Sequence, residues 1–523
     1  MNNRDNPIYA GTTTAELYLS AFRAFPGRTA LVAGNQSLTY RELETRCYQI
    51  ARLLLSKGLK RQDTVAFLVS NRIEAVLATI AIQLIGLRYV ALHPMASEED
   101  HAFVLEDAQV NMLIADSLKF PDRTRALQQR NVVPHVLTLD TSSIHTGLLN
   151  ETASMDGSRL PLDARPEDYT KIAYSGGTTG RSKGIMHTHR TTVTMLNYQL
   201  ANYEWPNHIR YLAATPISHA AGSLILPTFI RGGTVYLQEK YDAQSFLEIV
   251  QTHQINTTFL VPTQIYGLLD SPHLQEYDHS SLELILYGAA PMAPARLLEA
   301  LKKIGPVFGQ LYGQAEAPMV ISYLRKEDHD PARPHLLASC GRIIPGNQVK
   351  LLDQQMQEVK PGEIGELCVR GPLVMQGYLN RPEENEKVFA GQWLHTGDMA
   401  REDEQGYLYI VDRAKDMIIS GGFNVYPSEV EHCLARHPDV AMAAVIGIPH
   451  DKWGEEVTAI VVKKQGTNPS KQELIDFVLQ HKGAVNTPKT IIFTNELPLT
   501  SLGKINKKAI RSQYWQGHDR MVS

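Results

Sequence analysis

Residues Tyr174 to Gly184 read YSGGTTGRSKG: four glycines, three hydroxyl side chains between Ser175 and Thr179 (Ser175, Thr178 and Thr179) and two cations, Arg181 and Lys183. Lys171, Ile172 and Ala173 precede the stretch as the end of an expected strand. Glycine lets the backbone turn through positive φ, so that N–H groups, hydroxyls and a cation converge on one polyanion. Such a loop has no use in a core and points to a nucleotide-binding enzyme. A Walker A loop requires GxxxxGK[ST]. Here Ser182 precedes Lys183 and Gly184 follows it, so the stretch departs from a P-loop NTPase, and no GxGxxG fingerprint stands at this point.

Upstream, Leu38 to Leu55 reads as an amphipathic helix and Thr64 to Val69 as a buried strand. Ile73 to Ile85 reads as a helix closed by Gly86, and Arg88 to Leu92 as another strand. Strand, helix, strand at this spacing is a βαβ unit, which implies a parallel sheet covered by helices. Val110 to Ala115 and His135 to Leu139 extend it. Downstream, Tyr211 to Pro216, Thr234 to Leu237, Thr257 to Pro262 and Leu284 to Tyr287 predict a second α/β layer system. From Gln348 the short alternating runs VKLLD, GELCVRG and GYLYIVD predict small β-rich structure, a barrel. After Asp412 come two S-x-x-E capping boxes, Ser428 with Glu431 and Ser470 with Glu473, and the strands AMAAVIGI and TAIVVKK: a small α+β domain.

A chain of 523 residues exceeds one core and divides into domains. Its 43% hydrophobic and 20% charged content is that of an ordinary globular protein, and a net charge of -4 gives no general attraction to nucleic acid or anionic membrane. Cys47, Cys340, Cys368 and Cys433 show neither CxxC nor Cys/His ligand spacing, which suits a reducing compartment and no zinc site. The N-terminus lacks a basic region followed by an apolar one. The longest greasy stretch, Ala75 to Leu87, falls short of the roughly 20 residues that span a bilayer. Cytoplasm, without a membrane span, is the expectation.

The opening stretch resembles the phosphate loop of the adenylate-forming superfamily, which includes acyl-CoA synthetases, aryl-CoA ligases, peptide-synthetase adenylation domains and luciferases. Further matches follow in the family's order: PISHAAG at Pro216, YGAAP at Tyr287, YGQAE at Tyr312, LHTGD at Leu394, DRAKDMIISGGFNVYPSEVE at Asp412 and LTSLGKI at Leu499. The resemblance covers nearly the whole chain. It implies an α/β fold: a large N-terminal domain, residues 1–412, of two doubly wound α/β subdomains plus a small β-barrel. This is hinged at residues 413–416 to a small, mobile α+β C-terminal domain, residues 417–523.

The same resemblance implies a reaction in which a carboxylate attacks the α-phosphate of ATP, giving acyl-AMP and pyrophosphate, after which a thiol displaces AMP. It implies ATP, Mg²⁺ and CoA as ligands. By similarity, Ser175, Thr178, Thr179 and Lys183 belong to the phosphate loop, and Glu316 holds Mg²⁺. Gly288, Ala289 and Ala290 pass beside the adenine and acyl group, Tyr312 stacks near the base, and Asp398 and Arg413 partner the ribose. Lys504 bridges carboxylate and α-phosphate, and His219 gates the acyl pocket. Lys415 is the hinge, and Gly421 with Gly422 lies on the face that admits the thiol after rotation. His187 and His189 form an HxH pair expected to be structural. Glu455 and Glu456 read as a solvated pair.

Three positions depart from the family pattern: Gly176 where Ser is usual, Ala315 where Thr is usual, and Asn486 where Lys is usual. A hydrogen bond to a charged group is worth about 1.5–3 kcal/mol, so each missing hydroxyl costs roughly ten- to over a hundredfold in transition-state binding. The leading expectation is an acid:CoA ligase for a hydrophobic carboxylate. Beside it stand a stand-alone enzyme loading a carrier protein, a ligase with impaired adenylation that uses preformed acyl-AMP, and a nucleotide-responsive binding protein. The oligomeric state stays open.

Overall fold

The computed structural model describes residues 11–141, 146–174, 182–413, 416–420, 423–450, 453–499 and 505–515. Strand Thr64–Leu68 is buried at every position, as an unbroken apolar run in a parallel sheet must be. It sits inside a seven-stranded sheet ordered Gly377–Tyr378, Gly184–Thr188, Tyr169–Tyr174, Arg88–Ala91, Thr64–Leu68, Val110–Ala115, His135–Thr138. The last five run parallel; Gly184–Thr188 and Gly377–Tyr378 add an antiparallel edge. Helix Ile73–Leu84 is apolar on nearly all sides and buried between this sheet and the rest of the large unit. Leu38 belongs to a short strand, Gln36–Thr39, and the helix begins at Tyr40, because Thr39 caps it in a box with Glu42.

The second sheet has thirteen strands. Its centre is parallel, from Thr234–Leu237 through Arg210–Ala213, Thr257–Leu260 and Leu284–Tyr287 to Phe308–Tyr312. The β-rich segment from Gln348 onward is the antiparallel end of this same sheet, joined to it by Ser322–Leu324 and Gly341–Ile343. Thus Leu394–Glu402 and Tyr407–Arg413 are held in continuous register with the parallel strands.

A separate five-stranded sheet forms the C-terminal unit, with strand Gly454–Lys463 at its centre and Val440–His450 paired along it at the edge. Helices Pro427–Leu434 and Lys471–Asn486 bury Val430, Leu434, Leu474 and Val478 against it. Each such side chain contributes about 1.5–3 kcal/mol when fully buried. Ser470 and Glu473 do form their capping box. Ser428 and Glu431 do not: the helix is capped by Tyr426 without a side-chain bond. The Ser428 hydroxyl donates instead to the Val411 carbonyl and its N–H to Asp412 Oδ2, while Glu431 accepts from the Val445 N–H and pairs with Lys507. Tertiary partners outcompete the local ones. Glu455 and Glu456 are likewise engaged rather than solvated: buried Glu455 accepts the Ile419 N–H, and Glu456 accepts the Thr490 hydroxyl at 2.7 Å.

Candidate active site

The C-terminal ends of the parallel strands carry the sequence motifs. Strand Phe308–Tyr312 ends at Tyr312, whose hydroxyl donates to Asp398 Oδ2 at 2.7 Å; Gln314 Nε2 donates to the same oxygen at 2.7 Å. Asp398 is buried, and its Oδ1 faces Arg413 Nε at 3.1 Å. Burial and the neighbouring Asp398 charge hold the Tyr312 phenol well above its usual range, so it stays a donor. The LHTGD segment is fixed from behind. Thr396 Oγ1 donates to the Leu367 carbonyl, Glu366 Oε1 accepts the Gly397 N–H, and Glu366 Oε2 lies 2.8 Å from His395 Nδ1. Cys368 joins Glu366 and His395, their ligand atoms within 4.8 Å of one another, a grouping that sequence spacing did not disclose.

Glu316 projects from the turn after Tyr312. Its Oε1 accepts the Tyr378 hydroxyl at 2.9 Å, and Lys183 Nζ lies 4.9 Å from the centre of the Tyr378 ring. Lys183 and Glu316 are therefore brought to the two sides of one tyrosine, both lining a cavity of about 1900 Å³. Mg²⁺ is commonly held by one or two carboxylates together with substrate phosphates. Glu316 fits that requirement: a carboxylate at the cavity wall, bound by one hydroxyl and otherwise without a partner among the described residues. Tyr378, Gln314 and Glu366 were missed from sequence, because nothing local marks a residue that acts through a motif far away in the chain.

Ala315 is exposed to the cavity, and its carbonyl accepts the His187 Nε2–H at 2.7 Å. His189 Nδ1 accepts the Thr14 N–H at 3.2 Å, so the two rings of the HxH pair serve different partners. Gly288 lies so close to the next strand that a Cβ there would stand 2.4 Å from the Leu311 carbonyl oxygen. Ala289 follows with φ at 67°, and Ala289 and Ala290 both line the cavity. Tyr174 and Gly184, the residues at the two ends of the phosphate-loop sequence, are register partners on adjacent antiparallel strands. A side chain on Gly184 would stand 2.9 Å from Ile172 and 3.0 Å from the Tyr174 ring.

His219 stands edge-on to His93, ring centres 4.9 Å apart, with Ser218 Oγ 2.8 Å from its Nδ1. Burial, aided by His101, lowers the His93 pKa to about 4. From the small unit, Lys507 and Ile505, the latter next to Lys504, reach the same cavity. Lys507 Nζ lies 2.8 Å from Glu431, and Arg511 pairs with Asp416 at 2.9 Å. Burial raises Asp412 above the ordinary carboxylate range, with Lys507 opposing. Ser175, Gly176, Thr178, Thr179, Lys415, Gly421, Gly422 and Lys504 lie outside the described residues. Among the described residues no helix is long and apolar enough to cross a membrane.

Two family models match: AMP-binding enzyme over residues 20–379 and AMP-binding enzyme C-terminal domain over residues 429–504. The chain is 42% identical over 526 residues to the medium/long-chain-fatty-acid–CoA ligase FadD8 of Mycobacterium tuberculosis, covering 98% of this chain and 92% of that one. It is 34% identical over 499 residues to a feruloyl-CoA synthase of Amycolatopsis sp., covering 94% and 97%. Among solved structures, the amide bond synthetase McbA of Marinactinospora thermotolerans matches with a TM-score of 0.88 at 32% identity, covering 96% of this chain and 100% of that one. ATP-bound MatB of Rhodopseudomonas palustris matches with a TM-score of 0.87 at 27% identity, covering 96% and 99%. With both parts of the fold matched in order, the chain belongs to the AMP-binding enzymes, the adenylate-forming superfamily.

Proposed function

We propose that the protein is an ATP-dependent acid:CoA ligase that activates a hydrophobic carboxylic acid as acyl-AMP and transfers the acyl group to CoA. The observation that carries this reading is the convergence of Lys183, Glu316, Tyr312, Asp398 and Arg413 around one large cavity that continues to His219 and an apolar interior. Curated relatives along nearly the full length are named as fatty-acid and feruloyl CoA ligases.

In the first step a carboxylate oxygen of the acid bonds to the α-phosphorus of ATP and the bond to pyrophosphate breaks. Asp398, its geometry set by Tyr312, Gln314 and Arg413, accepts the ribose hydroxyls. Lys183 and the loop from Ser175 to Thr179 bind the β- and γ-phosphates, while Gly288 to Ala290 line the adenine and acyl groups. Mg²⁺, held through Glu316, supplies charge neutralisation at the phosphates when bound. Lys504 joins the carboxylate to the α-phosphate; without it two anions must meet unaided. In the second step the CoA sulfur bonds to the acyl carbon, the thiol proton is lost, and AMP leaves with its electron pair.

Lys504 and the pantetheine arm need the same space, which gives a reason for dividing the chain into residues 1–412 and 417–523. The unit bearing Lys504 turns about residues 413–416, with Lys415 at the hinge, and brings Gly421 and Gly422 to the thiol. His219 gates the acyl cavity. A second reading, favoured by Ala315 and Gly176, is a ligase slow in the first step that still converts supplied acyl-AMP. Pyrophosphate release across a panel of acids, followed by detection of the CoA thioester, tests both. Absence of any thioester, from ATP or from supplied acyl-AMP, sinks the ligase reading. ATP-dependent turnover unchanged in Lys504→Ala sinks the assignment of that lysine.

A further inference from the structure

The inner face of the first sheet carries a cation for which the two-step reaction has no use. Lys171 stands mid-strand in Tyr169–Tyr174, in register with Tyr89 on one side and His187 on the other. Side chains alternate along a strand, so Lys171 shares a face with Ala173, and both line the cavity together with Tyr89. Lys171 is half-buried in the cavity wall, and a lysine withdrawn that far from bulk solvent is usually paired. Among the described residues Lys171 has no ion pair and no hydrogen bond, and burial depresses its pKa with no neighbouring anion to offset it. His187 brings no negative charge: burial keeps it neutral, with a pKa of about 4, and its Nε2–H is already given to Ala315.

The surroundings are those of an acyl chamber rather than a phosphate site. Helix Ile73–Leu84 turns Val76, Thr79, Ile80 and Gln83 toward the cavity, the i, i+3, i+4, i+7 spacing of a single helix face. Thr79 spends its hydroxyl on the Ala75 carbonyl. The Gln83 amide and the Tyr89 hydroxyl line the cavity without a hydrogen-bond partner among the described residues. Lys171 itself stands three residues before the phosphate loop opens after Tyr174, about 10 Å back along the strand at roughly 3.3 Å per residue.

We infer that the acid this enzyme activates carries a second carboxylate, and that Lys171 receives it inside the cavity, with the Tyr89 hydroxyl and the Gln83 amide as further donors. The inference rests on the ligase reading and deepens it: the substrate is a dicarboxylic acid with an apolar body. An unpaired ammonium in an apolar wall weakens the free enzyme, and a carboxylate brought by the substrate removes that cost in a medium where the attraction is stronger than in water.

The test compares monocarboxylates from hexanoate to dodecanoate, and benzoate, with the matching α,ω-dicarboxylates and terephthalate. Pyrophosphate release gives the kinetics, and calorimetry gives binding to wild type, Lys171→Met and Lys171→Arg. At least one dicarboxylate is expected to bind and turn over better than its monocarboxylate partner. Lys171→Met should raise KM and Kd for that dicarboxylate by roughly ten- to a hundredfold. KM for ATP should stay within about twofold on the same reasoning, Lys171→Arg should retain the preference, and the ligand-free Lys171→Met protein should melt higher than wild type. Equal binding of every matched pair overturns the inference, as does a Lys171→Met effect on ATP in place of the acid. Thioester formation from monocarboxylates alone would leave the ligase reading standing while removing this one. Calorimetry decides the inference even if no acid is turned over.

Discussion

Asp398 and Arg413 are register partners on adjacent antiparallel strands, with Arg413 Nε 3.1 Å from Asp398 Oδ1. The other carboxylate oxygen accepts two donors, Tyr312 and Gln314. Arg413 is also the first residue of the proposed hinge, residues 413–416, so the residue proposed to read the ribose stands where the small unit is proposed to turn. Asp398→Asn removes the charge that organises all three partners. KM for ATP is expected to rise roughly ten- to a hundredfold, one charged hydrogen bond being worth about 1.5–3 kcal/mol. ATP-dependent pyrophosphate release measures it, and an unchanged KM would remove Asp398 from the nucleotide site.

Ala315 faces the cavity, at the position where the motif pattern of the resemblance has a threonine. Ala315→Thr, alone and with Gly176→Ser, should speed pyrophosphate release by roughly tenfold or more. Conversion of supplied acyl-AMP to thioester should not change. If release stays at the wild-type rate, the His187 contact to the Ala315 carbonyl has produced a site that works without that hydroxyl.

Buried His187, His189 and His329 each have a pKa pressed from 6.5 down to about 4, in each case chiefly by burial. Their folded-state pKa values lie below the unfolded ones, so the unfolded chain takes up the protons first as pH falls. The stability they contribute is whole above about pH 6.5 and drains away toward about pH 4, by about 1.4 kcal/mol per histidine for each pH unit. Urea midpoints should therefore fall between pH 7 and pH 5. His187→Leu should flatten that dependence by one proton's worth, and a slope equal to that of wild type would contradict the neutral, buried state of His187.

Gly288 and Gly267 make opposite predictions. A Cβ at Gly288 would meet the Leu311 carbonyl oxygen at 2.4 Å, whereas at Gly267, inside helix Pro262–Asp270, it meets nothing within 4 Å. Gly288→Ala should lose about 1–3 kcal/mol by overpacking and raise KM for ATP. Gly267→Ala should gain about 0.4–1 kcal/mol and leave activity alone. Denaturant unfolding and pyrophosphate release on both variants check the pair.

Much of the fold was legible because it is local. The run from Thr64 to Leu68, the break at Gly86 and the Ser470 capping box each declare themselves within a few residues, and the structure keeps them. Ser428 and Glu431 show the limit. Their spacing is that of a cap, but Val411, Asp412, Val445 and Lys507 arrive from elsewhere in the chain and take the bonds. Glu455 looked solvated because its sequence neighbours are polar, and it is buried because strand Gly454–Lys463 runs through the centre of the small sheet.

The sequence by itself determined the family, through motifs whose order and chemistry survive without coordinates. It also determined the strand and helix periods, since these arise from local backbone geometry and side-chain alternation. Tertiary structure alone decided that Tyr312, Gln314 and Arg413 meet on Asp398, that the Tyr378 ring faces Lys183 while its hydroxyl binds Glu316, and that Lys171 stands half-buried in the cavity wall without a counter-charge. The physical reason is that the worth of a charge is set by burial and by the groups opposite it. Strands far apart in the chain supply both.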